Sequence, residues 1–525
     1  MKTNKGVRIS EIAMFVILLC IIVFPLIGML TNLNGQAFKT VFSNGNFYTA
    51  LWNSILSASI STVFSIVIAY ALAWAINRTC IRLKSIWCII LVLPMLIPSI
   101  SHGSGLIMLF GNNGILTNLL GLKSSIYGLT GIIIGSVMYS FPVAFLMISD
   151  IFKYQDYSPY AAAEVLGIPK HKQFTAITFP YLKKPFISVL FATFTLIVTD
   201  YGVPLSVGGT FKTLPVMLYE EAASQLNYSV GSVIGLTLLV PAVAAFLFDL
   251  FNKDNSKSSG TTQPYVYKFN TARDIVAYAI CIIVTLFTAM IFLSFCIQAF
   301  AKRYPNDMTF TFDNFKKTFD KGGLNYLFNS LLISLLTAGV GTVLSFTLAY
   351  LTARVKSKPS KALHLMAITS LAVPGLVLGL SYIIVFKKTF FYGTLVILIM
   401  VNCVHFLASP YLMIYNAMGK IHENIEDVGS ILGIPRMKII FRVIIPQTKY
   451  TLIEMLSYFF VNSMMTISAV SFLANSENRP LSLLINQFEA YSMMECAAVV
   501  AIMIFAVNFI VKVVIGYIKR RGGVR

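Results

Sequence analysis

Runs of about twenty mostly apolar residues recur along nearly the whole chain, too long and too numerous for the core of a water-soluble domain. A bilayer core of about 30 Å takes about 20 apolar residues of α-helix to cross. Inside it every backbone N–H and C=O must be bonded within the chain, which leaves helices for runs of this length. About twelve such segments are predicted by that length rule. They lie near 12–31, 53–76, 87–110, 128–151, 186–206, 229–251, 275–298, 327–352, 363–385, 393–416, 450–473 and 494–517. The expected fold class is an all-α polytopic membrane protein. The first run follows Lys2, Lys5 and Arg8. It is long for a signal peptide and no small-x-small cleavage site follows it, so a retained first span is expected.

Composition agrees. The chain has 525 residues, 57% hydrophobic and 11% charged, where a soluble domain carries about 25% charge. The net charge of +20 would suggest nucleic acid in a soluble protein. Here the basic residues sit in short connections between apolar runs, so the expected partner is a lipid bilayer and no nucleic acid. Most of them fall on one set of connections. These include Arg78, Arg82 and Lys84; Lys170, Lys172, Lys183 and Lys184; Arg354, Lys358 and Lys361; Arg436, Lys438 and Arg442; and Lys519, Arg520 and Arg521. The opposite set is poorer, with Lys302, Arg303, Lys316, Lys317 and Lys321 as its main group. This asymmetry predicts a plasma-membrane protein with both termini in the cytoplasm, which requires an even number of spans. The seven cysteines are scattered and read as small buried hydrophobes.

The chain repeats itself. Trp52-Asn53-Ser54 opens the second apolar run and Phe328-Asn329-Ser330 the eighth. Ala69-Tyr70 recurs as Ala349-Tyr350, Pro98 as Pro374, and Ser140-Phe141-Pro142 as Ala408-Ser409-Pro410. Two six-span halves are expected, 1–251 and 275–525, joined by a polar, Ser/Thr-rich cytoplasmic linker at 252–274. Halves that start on the same side are parallel repeats about an axis along the membrane normal, and such pairs place a substrate path at their interface. Prolines within the runs are either tolerated kinks or the bends of a gate.

One connection in each half carries a motif. In the first, about 157–181, Tyr160 to Glu164 leads to Gly167 and Pro169, and Pro180 follows. In the second, about 423–447, Glu426-Asp427 leads to Gly433 and Pro435, and Pro446 follows. Each reads as a short helix ended by Gly-x-Pro, then a basic amphipathic helix, with Pro180 and Pro446 breaking the chain before it re-enters the membrane. No G-x-x-x-x-G-K-[ST] phosphate cradle occurs; Gly419-Lys420 is followed by Ile421.

The paired segments resemble the EAA loop of binding-protein-dependent ABC importer permeases, whose pattern is Glu-Ala-Ala-x-x-x-Gly, nine residues, then Ile-x-Leu-Pro. Both glycines fit, as do Ile177 to Pro180 and Val443 to Pro446. The acid fits as Asp427 in the second half only; the first has Ala161 there, with Glu164 one turn later on the same face. The resemblance implies the type I permease fold, with both halves fused. It implies that each short helix docks in a cleft of a nucleotide-binding subunit, where a glycine would admit another backbone. The implied partners are two copies of a cytoplasmic ATP-binding subunit and an extracytoplasmic solute-binding protein. The chain would then not be an enzyme and would bind no cofactor, ATP being used by the partner.

Residues Thr199 to Gly209 and Thr466 to Leu473 look most like ferric-iron and 2-aminoethylphosphonate permeases, with polyamine, thiamine and sulfate permeases further off. Candidate path residues are the polar groups Asp200, Tyr201, Asn402, His405 and Asn462; Glu454 lies nearer the cytoplasmic interface. No dense His/Asp/Glu cluster holds a bare metal, so no metal site is expected. The competing readings are a twelve-span secondary transporter and an integral membrane enzyme. The first lacks a buried proton relay and the second a polar catalytic cluster.

Overall fold

The computed structural model describes residues 5–121, 125–153, 155–252, 267, 269–355, 357–422 and 424–521. Most of the expected linker at 252–274 lies outside these. The described residues are all-α apart from one antiparallel hairpin, Ala301–Arg303 with Asp307–Phe310. Tyr304 in its turn donates to the carbonyls of Met108 and Asn113.

Among the described residues, eight helices are long and apolar enough to cross a membrane, or up to ten if each of two bent pairs is one span. The expected spans at 87–110 and 393–416 are these pairs: Lys84–Leu96 with Ser99–Leu120, bent by 96°, and Leu395–His405 with Ala408–Gly419, bent by 54°. The stretch at 363–385 is divided into Lys358–Thr369 and Gly375–Phe386. Helix Ile445–Met465 replaces the expected 450–473; Gln447, Thr448, Lys449 and Glu454 make it more polar than the eight.

Pro98 and Pro374 act alike: each stands at the N-cap of a restarted helix, Ser99–Phe110 and Gly375–Phe386. A proline there gives up no helical N–H, so the break lies on its N-terminal side. Pro180 and Pro446 correct the sequence reading. The helix is not broken at either. A π-turn, Phe174–Thr178 or Ile440–Ile444, carries Lys170–Gln173 into Phe179–Val198 and Arg436–Ile439 into Ile445–Met465. Widening the turn makes room for the proline ring where an α-turn would clash. The expected span at 186–206 therefore starts earlier and ends at Val198.

The chain forms two compact units that cut across the sequence halves. One comprises Met1–Ser43, Leu218–Leu239 and Phe315–Arg525; the other comprises Asn44–Met217 and Val240–Asn314. The first apolar run thus packs with the C-terminal part of the chain. Its π-turn Leu19–Val23 frees the Ile21 carbonyl, which accepts from the Tyr382 hydroxyl at 2.7 Å. In the other unit helix Thr271–Phe300 packs on the N-terminal part, bringing Ile291 and Phe295 against Gly105.

Two long helices, Gly45–Asn77 and Gly323–Ala353, are equivalent within their units. Each buries a stripe of small residues: Ser54, Ser57, Ala58, Ser61 and Ser65 in one, Ser330, Ser334, Ala338, Gly341 and Ser345 in the other. In lipid, where apolar side chains gain little by leaving hydrocarbon, small residues hold helices together by close approach. Asn53 and Arg78 are as far apart as Asn329 and Arg354, and both arginines are helix C-caps. The Ala69-Tyr70 match with Ala349-Tyr350 is one helical turn out of that register.

The Asn-Ser pair has a structural role. Asn53 donates to the Lys212 carbonyl at 2.9 Å, and Ser54 accepts from the Leu214 N–H at 2.7 Å. Asn329 donates to the Glu477 carbonyl at 2.9 Å, and Ser330 accepts from the Leu481 N–H at 2.6 Å. Each pair clamps a loop that has no regular backbone partner. Ser54→Ala and Ser330→Ala each leave a buried N–H unmet, at a cost of about 1–3 kcal/mol. Both should lower the unfolding temperature in detergent, and Ser10→Ala, an exposed hydroxyl bonded within its own helix, should not.

Candidate functional site

The two motif segments fold alike. In the first, helix Ser158–Val165 ends at Gly167, with φ +66°. The Gly167 N–H bonds the Glu164 carbonyl at 3.1 Å and the Ile168 N–H the Ala163 carbonyl at 2.9 Å. In the second, helix Ile425–Ile431 ends at Gly433, with φ +68°. The Gly433 N–H bonds the Ser430 carbonyl at 3.2 Å and the Ile434 N–H the Gly429 carbonyl at 2.7 Å. Both are Schellman caps, which demand a left-handed residue and favour glycine. A Cβ built on either glycine meets nothing within 4 Å. The cap explains the glycines within this chain, and the space beside them is open.

Next to that space each loop exposes an apolar pair. Val165 and Leu166 are 88% and 75% exposed; Ile431 and Leu432 are 85% and 67% exposed. Adjacent large apolar side chains this bare mark an interaction surface. Glu164 is exposed and accepts from the Tyr157 hydroxyl. That phenol is held above its ordinary range by partial burial first and by the Glu164 carboxylate second. Ala161 and Asp427 are half-buried; Pro180 and Pro446 are exposed.

The buried acid of the second loop is Glu426, one residue before the position the motif points to. Its carboxylate faces a fork from Arg354, Nε to Oε1 at 2.8 Å and Nη2 to Oε2 at 2.5 Å. Arg354 also donates to the carbonyls of Ile421 and His422. The first loop has Tyr160 in the place of Glu426 relative to the capping glycine. Its buried hydroxyl bonds Gln155 at 2.7 Å and Thr178 at 2.6 Å, and Gln155 accepts from Arg78. Arg78 lies 5.0 Å from the centre of the Phe152 ring. Sequence reasoning gave Tyr160 and Glu426 no role of their own, passed over Gln155, and read Arg78 and Arg354 only as orientation charges. The signal that could have found them is that each ends the helix opened by an Asn-Ser pair.

The candidate path residues fall into two groups, one in each unit. Asp200 accepts from Ser99 at 2.6 Å and from the Val203 N–H at 3.0 Å, between Phe179–Val198 and Gly202–Val207. It fastens a turn to the restarted helix, and Tyr201 beside it is wholly buried. In the other unit Asn402 donates to Ser463 at 3.0 Å, while Asn462 turns back to the Tyr458 carbonyl of its own helix. The His405 ring lies against Gly375, which Ser468 also approaches. Asn402 Oδ1 and His405 Nδ1 are buried with no partner among the described residues. Glu454 pairs with Lys519.

Three relatives place these features among known proteins. The chain is 24% identical over 505 residues to the ferric transport system permease protein FbpB of Actinobacillus pleuropneumoniae, covering 91% of this chain and 73% of that one. It is 26% identical over 212 residues to the molybdenum transport system permease protein ModB of Azotobacter vinelandii, covering 38% and 91%. It is 29% identical over 230 residues to the spermidine/putrescine transport system permease protein PotC homolog of Mycoplasma genitalium, covering 39% and 78%. Two stretches, 65–257 and 341–522, match the binding-protein-dependent transport system inner membrane component family, and each contains one Gly-capped loop. A multi-pass inner-membrane protein with that match on both of its loops belongs to this family, as a fused permease subunit of an ATP-driven importer.

Proposed function

We propose that this permease forms its path from twelve helices, as two parallel six-helix repeats of the type I fold with both termini in the cytoplasm. One copy of an ATP-binding subunit receives each Gly-capped helix, and an extracytoplasmic binding protein delivers the solute. The observation that carries this reading is the pair of exposed apolar caps, Val165-Leu166-Gly167 and Ile431-Leu432-Gly433, each beside open space. The excess of basic residues on the connections bearing those loops supports their cytoplasmic placement. Ala161, Glu164, Gly167, Pro180, Asp427, Gly433 and Pro446 lie in the coupling segments. Asp200, Tyr201, Asn402, His405 and Asn462 are proposed to line or shape the path. ATP binding draws the two docked helices together and opens the bundle outward; hydrolysis resets it.

Ferric iron is the proposed solute, because the ferric permease aligns with 91% of this chain and the molybdenum permease with 38%. The test uses proteoliposomes holding the permease and its ATP-binding subunits, with a loaded binding protein outside. Iron entry is expected to require ATP and to survive collapse of the proton gradient. Entry that persists without ATP but stops when the gradient is dissipated would instead make the chain a secondary transporter. Entry of 2-aminoethylphosphonate and not of iron would overturn the substrate.

A further inference from the structure

The two Gly-capped helices must transmit movement to the bundle, and their backbones reach it only through short connections. What ties them down is a chain of polar contacts that recurs in both units. In one unit Glu426 sits under its helix and is clasped by Arg354, the C-cap of Gly323–Ala353. The loop after that cap continues to Ser357, whose hydroxyl bonds Glu11 on the first helix, a carboxylate 3% exposed. In the other unit Tyr160 sits in the equivalent place and reaches Arg78, the C-cap of Gly45–Asn77, through Gln155. The loop after that cap presents the Cys80 N–H to Asp274 of Thr271–Phe300 at 3.2 Å, and the Arg82 N–H to Tyr278 at 2.7 Å.

We infer that each docking helix is coupled to its unit by an arginine strut: a helix-capping arginine that grips the buried face of the docking helix, in a loop anchored on the far side by an acid of the unit's long outlying helix. Arg354, Glu426, Arg78, Gln155 and Tyr160 are positioning residues; none of them faces the open space beside the glycines. The inference rests on the reading of the capped helices as docking elements.

The two struts differ chemically. The second is an ion pair with side chains 4% and 9% exposed. A planar fork on a carboxylate fixes direction as well as distance, and it holds best where water is excluded. The first runs through an amide and a phenol: Arg78 makes one charge-assisted bond to Gln155, but the links beyond it, Gln155 to Tyr160 and Tyr160 to Thr178, are single neutral hydrogen bonds to rotatable groups. Charge-assisted bonds are about twice as strong as neutral ones. The docking helix at 425–431 is therefore held stiffly and the one at 158–165 more softly, so the same pull moves the second unit more directly.

The experiment measures iron imported per ATP hydrolysed in proteoliposomes of the full complex, beside the amount of ATP-binding subunit captured by the purified permease. Glu426→Ala is expected to lower the ratio about tenfold or more while capture persists, the exposed cap being intact. Glu426→Gln, which keeps the shape and one arm of the fork, is expected to recover most of the ratio. Tyr160→Phe, which removes only the relay hydroxyl, is expected to lower it about two- to threefold. An unchanged ratio in Glu426→Ala would overturn the strut, as would an unchanged ratio in Tyr160→Phe or a tenfold fall in Glu426→Gln. The last two variants decide the matter if Glu426→Ala does not insert. Failure of the unaltered permease to capture any ATP-binding subunit would instead overturn the docking assignment beneath it.

Discussion

Chains carrying Gly433→Trp or Gly167→Trp are expected to insert normally and to lose uptake. The two halves of that expectation come from different physics. A non-glycine residue in the left-handed region costs about 1–2 kcal/mol, and nothing in this chain adds to it, since a Cβ at either glycine meets no atom within 4 Å. The fold can absorb that. A docking partner fitted against the bare cap cannot: filling a packed contact with extra atoms costs about 1–3 kcal/mol and occasionally more, which is up to about a hundredfold in an equilibrium. Uptake should fall by about tenfold or more in each variant, and ATP hydrolysis should no longer follow the binding protein. Gly433→Asn separates the two effects, because asparagine tolerates the left-handed region and adds a small side chain. It should lie between the parent and the tryptophan variant. The checks are uptake, ATPase activity and thermal stability on one preparation. Normal uptake in both tryptophan variants would remove the docking role of the caps.

Those glycines were legible in the sequence, and so were the apolar runs, because each rests on local rules. A left-handed cap is written in Gly-x-Pro, and a span in its run of apolar residues. What was not legible depends on relations at a distance. Pro180 and Pro446 looked like breaks because a proline ring clashes with an α-turn; nothing local says that the turn will widen to a π-turn. Arg78 and Arg354 looked like two more basic residues, and only their burial against Gln155 and Glu426 tells them from the exposed Lys172 or Lys438. The motif drew attention to Asp427, yet the helix turns Glu426 inward. A one-residue difference is 100° of helix, and only the packed neighbour decides which side is in. The division of contacts was hidden for the same reason. An apolar run at 12–31 states that it will be buried in lipid or protein, and leaves its neighbours unnamed.

Glycine 379 should answer to substitution in the opposite way from glycine 433. Gly379 follows Pro374 in one unit as Gly103 follows Pro98 in the other. Both are wholly buried and both are closely approached by the segment after a long helix. A Cβ on Gly379 would stand 2.6 Å from the Ala469 carbonyl oxygen, a backbone atom that can yield only if the whole turn moves. A Cβ on Gly103 would meet the Ser206 hydroxyl first, which can rotate away, and then the Ser206 Cβ at 3.1 Å and the Val203 carbonyl oxygen at 3.3 Å. Overpacking of this kind costs about 1–3 kcal/mol where side chains can adjust, and a backbone clash lies at or above the top of that range. Gly379→Leu is therefore expected to yield little folded permease, seen as loss of the monodisperse peak in detergent. Gly379→Ala should lower the unfolding temperature more than either Gly103→Ala or Gly433→Ala. The ranking is the test. If Gly103→Ala proved the worse of the two, the turn at Ala469 would be the more yielding partner, and the close approach would not be what requires glycine there. If Gly433→Ala destabilised most, the open space beside the cap would be wrong, and with it the separation of docking from folding on which the tryptophan variants rely.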